Sequence, residues 1–191
     1  NGQLQTPYLY TGSILTSATD TVTLGNFNFP AGTNTIRSWT SQPNGTMDLD
    51  NTNDTFQIDI CTGLNGVYTI GGANSDYNTP QEAVNDLISC GVNGMVSFNI
   101  ASGTYFGKIV IPEIMGASQT NQITFAGVDS SSVRLTYNNS IDTPVVHLDG
   151  GDWITFKDIA IHNTSLSYRT WAVVLNNEAN HNTFDGCSFI V

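Results

Sequence analysis

The sequence predicts a mainly-β chain in which antiparallel sandwich strands are followed by a solenoid of short strands. Three observations carry this expectation. Residues 68–111 run from one short capped helix into short alternating strands. Two segments, starting at Val145 and Ala172, repeat each other. The composition is low in charge, rich in Gly, Asn, Thr and Ser, and 39% hydrophobic, which suits a turn-rich β protein rather than a helical or disordered one. A length of 191 residues allows one or two domains and a sizeable core.

The first sixty residues read as strands separated by hairpin-like turns. Residues 20–29 alternate, with Val22, Leu24, Phe27 and Phe29 as inward candidates and a parity slip at Gly25-Asn26 that suggests a bulge. Residues 35–40 form a second strand with Ile36 inward and Trp39 near the following turn. Residues 54–60 place Phe56, Ile58 and Ile60 on one face. This is an antiparallel sandwich pattern. A boundary falls near 62–66, so the expected organisation is 1–62 as a partial sandwich, 63–67 as a linker and 68–191 as the solenoid.

The helix is expected over 79–90. Thr79 is the N-cap, Pro80 the first helical residue and Glu82 the residue that reaches back. Ala83, Val84, Leu87 and Ile88 fall on one face, and Gly91 is a natural stop. The period then changes to two: Val96, Phe98 and Ile100 alternate with Ser97 and Asn99. Ser102-Gly103 turns the chain, and 109–111 is a second short strand ended by Pro112. Ile123 with Phe125, and Val133 with Leu135 and Tyr137, mark two more. In the repeat, Leu148 matches Leu175, 27 positions on, and Thr155-Phe156 matches Thr183-Phe184, 28 positions on. The inward parity jumps between Phe156 and Ile159 in one copy and between Phe184 and Cys187 in the other, as a corner between two faces of a coil requires.

Charge excludes some functions. Five Lys and Arg stand against sixteen acidic residues, a formal charge of −11, so no basic patch can form for nucleic acid or anionic membrane. No stretch approaches the ~18 apolar residues that span a bilayer. Asn1-Gly2, a turn dipeptide without Met, reads as the inside of a longer polypeptide. Of the three cysteines, none has zinc spacing. Cys90 and Cys187 read as buried small apolar residues, and a Cys61–Cys90 disulfide that staples the two parts is the open alternative for the first of them.

Two resemblances follow from these motifs. The run TDTVTLGNFNFPAGTNTIRSWTSQPNGTMDLDNTNDT resembles the second half of bacterial immunoglobulin-like, cell-adhesion-related domains, and PNGTMDLDNTNDT resembles a loop of secreted proteins of the Bacteroidetes type. The motifs SDYNTPQEAVNDL, VSFNIASGTY and KIVIPEIMGASQTNQITFAG resemble the pectate-lyase-like and pectin-methylesterase-like superfamily. The implied fold is the C-terminal part of an Ig-like β-sandwich, then the N-terminal capping helix and first coils of a right-handed parallel β-helix. That superfamily holds lyases, esterases and inert adhesins alike, so the fold leaves function open. Its enzymes carry Asp and Arg sets on their middle coils. Here Asp149, Asp152, Asp158 and Asp185, with Arg134 and Arg169, form no such set, and the aspartates read as turn residues at coil corners.

The remaining site candidates are weak patterns set against plainer readings. Asp48, Asp50 and Asp54 concentrate oxygen ligands as calcium needs, but an Asx-rich hairpin loop has the same composition, and the EF-hand Gly and distal Glu are missing. Tyr168, Arg169 and Trp171 form an aromatic and cationic cluster suited to a glycan contact, against the plainer role of Trp171 as a cover for a coil edge. His147, His162 and His181 lack metal spacing and are expected to face solvent. No catalytic serine signature appears. The expected function is a non-enzymatic adhesion or surface-structural part of a large secreted or cell-surface bacterial protein. Its expected partners are polysaccharide or cell-surface glycan and further domains or neighbouring chains, with no cofactor other than calcium. The alternative is a polysaccharide-active enzyme, lyase or esterase, whose active coils lie downstream.

Overall fold

The structure, a computed structural model, describes residues 4–30, 32–42, 46–47, 50, 52, 54–138, 143–166 and 170–191. Fourteen strands and one helix are assigned among them. The chain opens with an antiparallel ribbon of β1 (Thr33–Trp39) and β2 (Thr55–Cys61), paired from Thr33↔Cys61 to Trp39↔Thr55. Directly opposed residues share a face, so Ile36, Phe56, Ile58 and Ile60 lie together on one side. That apolar face is not covered by described residues: Phe56 is 61% and Ile58 44% exposed.

Residues 20–29 correct the expected strand. They form no strand, and Val22, Leu24, Phe27 and Phe29 are all exposed. Alternation defines which face a strand would bury, but a strand exists only when a neighbour takes its N–H and C=O groups, and no such pairing forms here. The described residues before Gly63 thus hold one two-stranded sheet.

The rest is a parallel β-solenoid of about four turns. Its first sheet stacks β3 (Leu64–Ile70), β4 (Val92–Ile100), β7 (Ile123–Gly127), β10 (Ile154–Lys157) and β13 (Thr183–Asp185). A second sheet stacks β5 (Gly103–Phe106), β8 (Val133–Tyr137), β11 (Ala160–Asn163) and β14 (Ser188–Ile190), and a third stacks β6 (Ile109–Pro112), β9 (Val146–Asp149) and β12 (Val173–Asn176). β3 begins inside the segment expected as a linker. The predicted repeat is the observed register: Leu148 pairs with Leu175, and Thr155-Phe156 with Thr183-Phe184.

Register converts the repeat into a core. Phe98, Phe125, Phe156 and Phe184 occupy one inward position in successive coils, and their rings stack at 4.9, 5.2 and 5.4 Å. Offset stacks of this kind add to the area term of burial. Ile100, Ile111, Ile123, Leu135, Leu148, Ile154, Ile159 and Ile161 fill the remaining interior. The corner between Phe156 and Ile159 is made by Asp158 at φ 54°, and the next by Gly186 at φ 61°. A Cβ on Gly186 would run into the Asp158 carboxylate, so glycine fits there for space as well as for φ.

α1 (Pro80–Cys90) lies against β6, β3 and β4. The Thr79 hydroxyl accepts from the Glu82 N–H at 3.3 Å, and Glu82 accepts in return from the N–H of Asn78, one residue earlier than a capping box specifies. Gly91, at φ 65°, closes the helix by donating to the Leu87 carbonyl at 2.8 Å. The buried stripe is Pro80, Ala83, Val84, Leu87 and Cys90. Ile88, expected on it, is 49% exposed, because the stripe follows 80, 83, 84, 87 and leaves position 88 at its rim. Gln81 Oε1 accepts from the Val110 N–H at 3.2 Å, so the helix engages the free edge of β6. Cys61 and Cys90 form a disulfide between the ends of β2 and α1, which resolves the alternative left open by the sequence.

Candidate functional site

The expected calcium loop is described only in part. Asp48 lies outside the described residues. The Asp50 carboxylate accepts from the N–H and hydroxyl of Thr52, an Asx-turn that holds its carboxyl below the ordinary 3.8. Asp54 Oδ1 accepts from the Thr40 hydroxyl at 3.2 Å. Both carboxylates thus have hydrogen-bond partners within the loop, and among the described residues no three His, Cys, Asp or Glu side chains converge. Of the expected glycan cluster, Tyr168 and Arg169 also lie outside the described residues. Trp171 is exposed, and its backbone carbonyl accepts from Asn163 Nδ2 at 3.0 Å.

The turn and corner aspartates accept hydrogen bonds from nearby chain or from the next coil. Asp76 accepts from the Thr69 N–H and hydroxyl, and Asp129 from the N–H and hydroxyl groups of Ser131 and Ser132. In each case the hydroxyl bonds come first in pulling the carboxyl below 3.8. Asp149 accepts from Asn177 Nδ2 at 2.6 Å, and Asp152 from the Asn180 N–H. Asp185 stands 4.0 Å from Lys157 on the solvent side, a pair worth little.

His147 and His162 are half-buried, whereas His181 is exposed as expected. His147 Nε2 lies 3.2 Å from Asn176 Oδ1 and 3.9 Å from Asp149 Oδ1. His162 has a buried Nδ1 with no hydrogen-bond partner among the described residues. His181 is exposed but stacks on Trp153 with 4.0 Å between ring centroids. These side chains stand on the outer faces of neighbouring coils, and the 28-residue step between Trp153 and His181 is the repeat again.

A further constellation was missed by sequence reasoning. Arg37 and Trp39 at the end of β1, with Thr40, Asp54 and Thr55, line an open cleft of about 400 Å³. Trp39 pairs with Thr55, opposite in parity to Ile36, and so stands on the polar face of the ribbon with Thr33, Thr35, Gln57 and Asp59. It is 55% exposed. The available signal was parity: once Ile36 is placed inward, Arg37 and Trp39 are both outward positions of the same strand, on either side of inward Ser38. The cleft offers one aromatic plane, one guanidinium, one carboxylate and two hydroxyls. No known family matches the chain, and no curated protein matches it.

Proposed function

We propose that the chain is a non-enzymatic adhesion or surface-structural element of a secreted or cell-surface bacterial protein. Its solenoid is a right-handed parallel β-helix of the pectate-lyase-like kind, with α1 as its cap, and its ribbon is the last hairpin of an Ig-like sandwich whose other strands cover Ile36, Phe56 and Ile58. The observation that carries this reading is the use of the carboxylates. Asp76, Asp129, Asp149 and Asp152 are held in turn and corner hydrogen bonds, which suits a rigid stacked scaffold rather than paired acid and base groups over a substrate. The Cys61–Cys90 disulfide supports an oxidising compartment.

The test is to incubate the chain with insoluble cell-wall polysaccharide and measure both retention and soluble products. Retention with no new reducing ends, unsaturated sugars or released methanol is expected. Product formation that scales with protein would replace this reading with the enzymatic one.

A further inference from the structure

We propose that the cleft formed by Arg37, Trp39, Thr40, Asp54 and Thr55 binds a neutral polysaccharide, with one sugar ring stacked on Trp39. This rests on the adhesion reading and assigns its contact to the ribbon rather than to Trp171. The apolar side of the ribbon carries Ile36, Phe56, Ile58 and Ile60, and any further strands that complete a sandwich cover that side. Trp39 is on the other side, so closing the core leaves it in solvent. Among the described residues, Trp39 is 55% exposed beside Thr, Gln, Asp and Arg, on the side of the ribbon opposite its apolar face.

The neighbours define the ligand. The C–H face of a pyranose is a flat weakly apolar surface that matches an indole plane, while its equatorial hydroxyls need donors and acceptors at the plane's edge. Arg37 supplies donors, the second carboxylate oxygen of Asp54 an acceptor and Thr55 a hydroxyl of both kinds, while the Thr40 hydroxyl donates to Asp54 Oδ1 and can only accept. A protein partner fits less well. Stable interfaces bury roughly 800 Å² per partner around a core of several apolar anchors. This face offers one large apolar side chain in a cleft of about 400 Å³. Charge selects within the glycans: a formal charge of −11 and a carboxylate in the cleft oppose a uronic-acid polymer.

The test is affinity electrophoresis of the full 191-residue chain in gels containing hydroxyethylcellulose, xylan, glucomannan or polygalacturonate. Wild type, W39A, W39F and W171A are compared, with thermal midpoints to show that each variant folds. At least one neutral gel is expected to retard the wild type. W39A should weaken that binding about fivefold or more, the loss of one aromatic stack. W39F should restore most of it, and W171A should leave it unchanged. Retardation that survives W39A, that is lost with W171A, or that occurs only with polygalacturonate overturns the proposal, and so does no retardation in any gel. Retention on insoluble cell walls separates the two readings. If W39A is retained there as well as wild type, the cleft falls and the adhesion reading stands. If wild type is not retained and no gel retards it, both fall.

Discussion

Tyr77 joins three parts of the first coil through one side chain. Its ring packs against Tyr68 and Phe98 at 6.0 and 5.8 Å, and its hydroxyl donates to Asp86 on α1 at 3.0 Å. Burial, and then the Asp86 charge, push the phenol well above its ordinary 10.0. The folded state therefore favours the protonated phenol more than the unfolded state does. That contribution is complete below pH 10 and is lost as pH rises through and beyond it. Thermal midpoints of wild type and Y77F between pH 8 and 11.5 check this. The wild type should lose stability more steeply above about pH 10, while Y77F keeps a shallower slope set by the other tyrosines. Parallel slopes would show that neither burial nor Asp86 holds the phenol above its ordinary value in solution. At this scale the sequence was legible where the partner is a few residues away. Thr79, Pro80, Glu82 and Gly91 announce a helix locally, and all four act at its ends. Tyr77 carries no such mark, because its partners come from β3, β4 and α1, nine to twenty-one residues away in the chain.

The elements differ in how local their causes are. α1 was readable in full but for Ile88, since cap, stripe and stop lie within thirteen residues. Residues 20–29 show the same method failing: their alternation is good, yet pairing depends on chain elsewhere, and they remain unpaired. β5 was read only as the turn at Ser102-Gly103, because four residues are too few for a periodic signal, and it is β8 alongside that makes it a strand. Two of the five residues of the candidate site were invisible for a related reason. Arg37 and Trp39 are near neighbours, but Asp54 and Thr55 join them only through the ribbon register. The disulfide is a covalent cross-link between the end of the ribbon and the helix of the solenoid. It closes a separation of 29 residues, for which chain entropy gives about 3.5 kcal/mol. The C61S/C90S double variant should lose roughly that amount in urea unfolding, and wild type in reductant should move the same way. A loss in reductant that the double variant does not share would point to Cys187 chemistry instead.

At the scale of the whole molecule the solenoid was legible, because it writes its tertiary structure into a period, whereas the sandwich expected over 1–62 is a single two-stranded ribbon among the described residues. Val145 and Ala172 begin copies whose register is the sheet register, and the parity break falls at the observed corner. The same one-dimensional stacking sets how stability is distributed. Each coil is stabilised by the coils above and below it, so the cost of removing a side chain depends on how many neighbours it has. Phe125 is 1% exposed, with Phe98 on one side and Phe156 on the other. Phe184 occupies the same position in the last described coil, stacks on Phe156 alone within the ladder, and is only partly buried. The inward Leu175 of that coil is 47% exposed, whereas its counterpart Leu148 is fully buried. For this 191-residue chain, Phe125→Ala should therefore cost about 3–5 kcal/mol and weaken every coil, as an interior cavity does. Phe184→Ala should cost roughly 1–2 kcal/mol, the burial of part of one ring. Urea unfolding of both variants, with m-values to confirm that the same surface is exposed, makes the comparison. Equal losses would mean that the terminal coil is covered in solution, and the covering would be by a second copy of the chain. A concentration-dependent midpoint would then reveal it, since association shifts stability by mass action while intramolecular stacking does not.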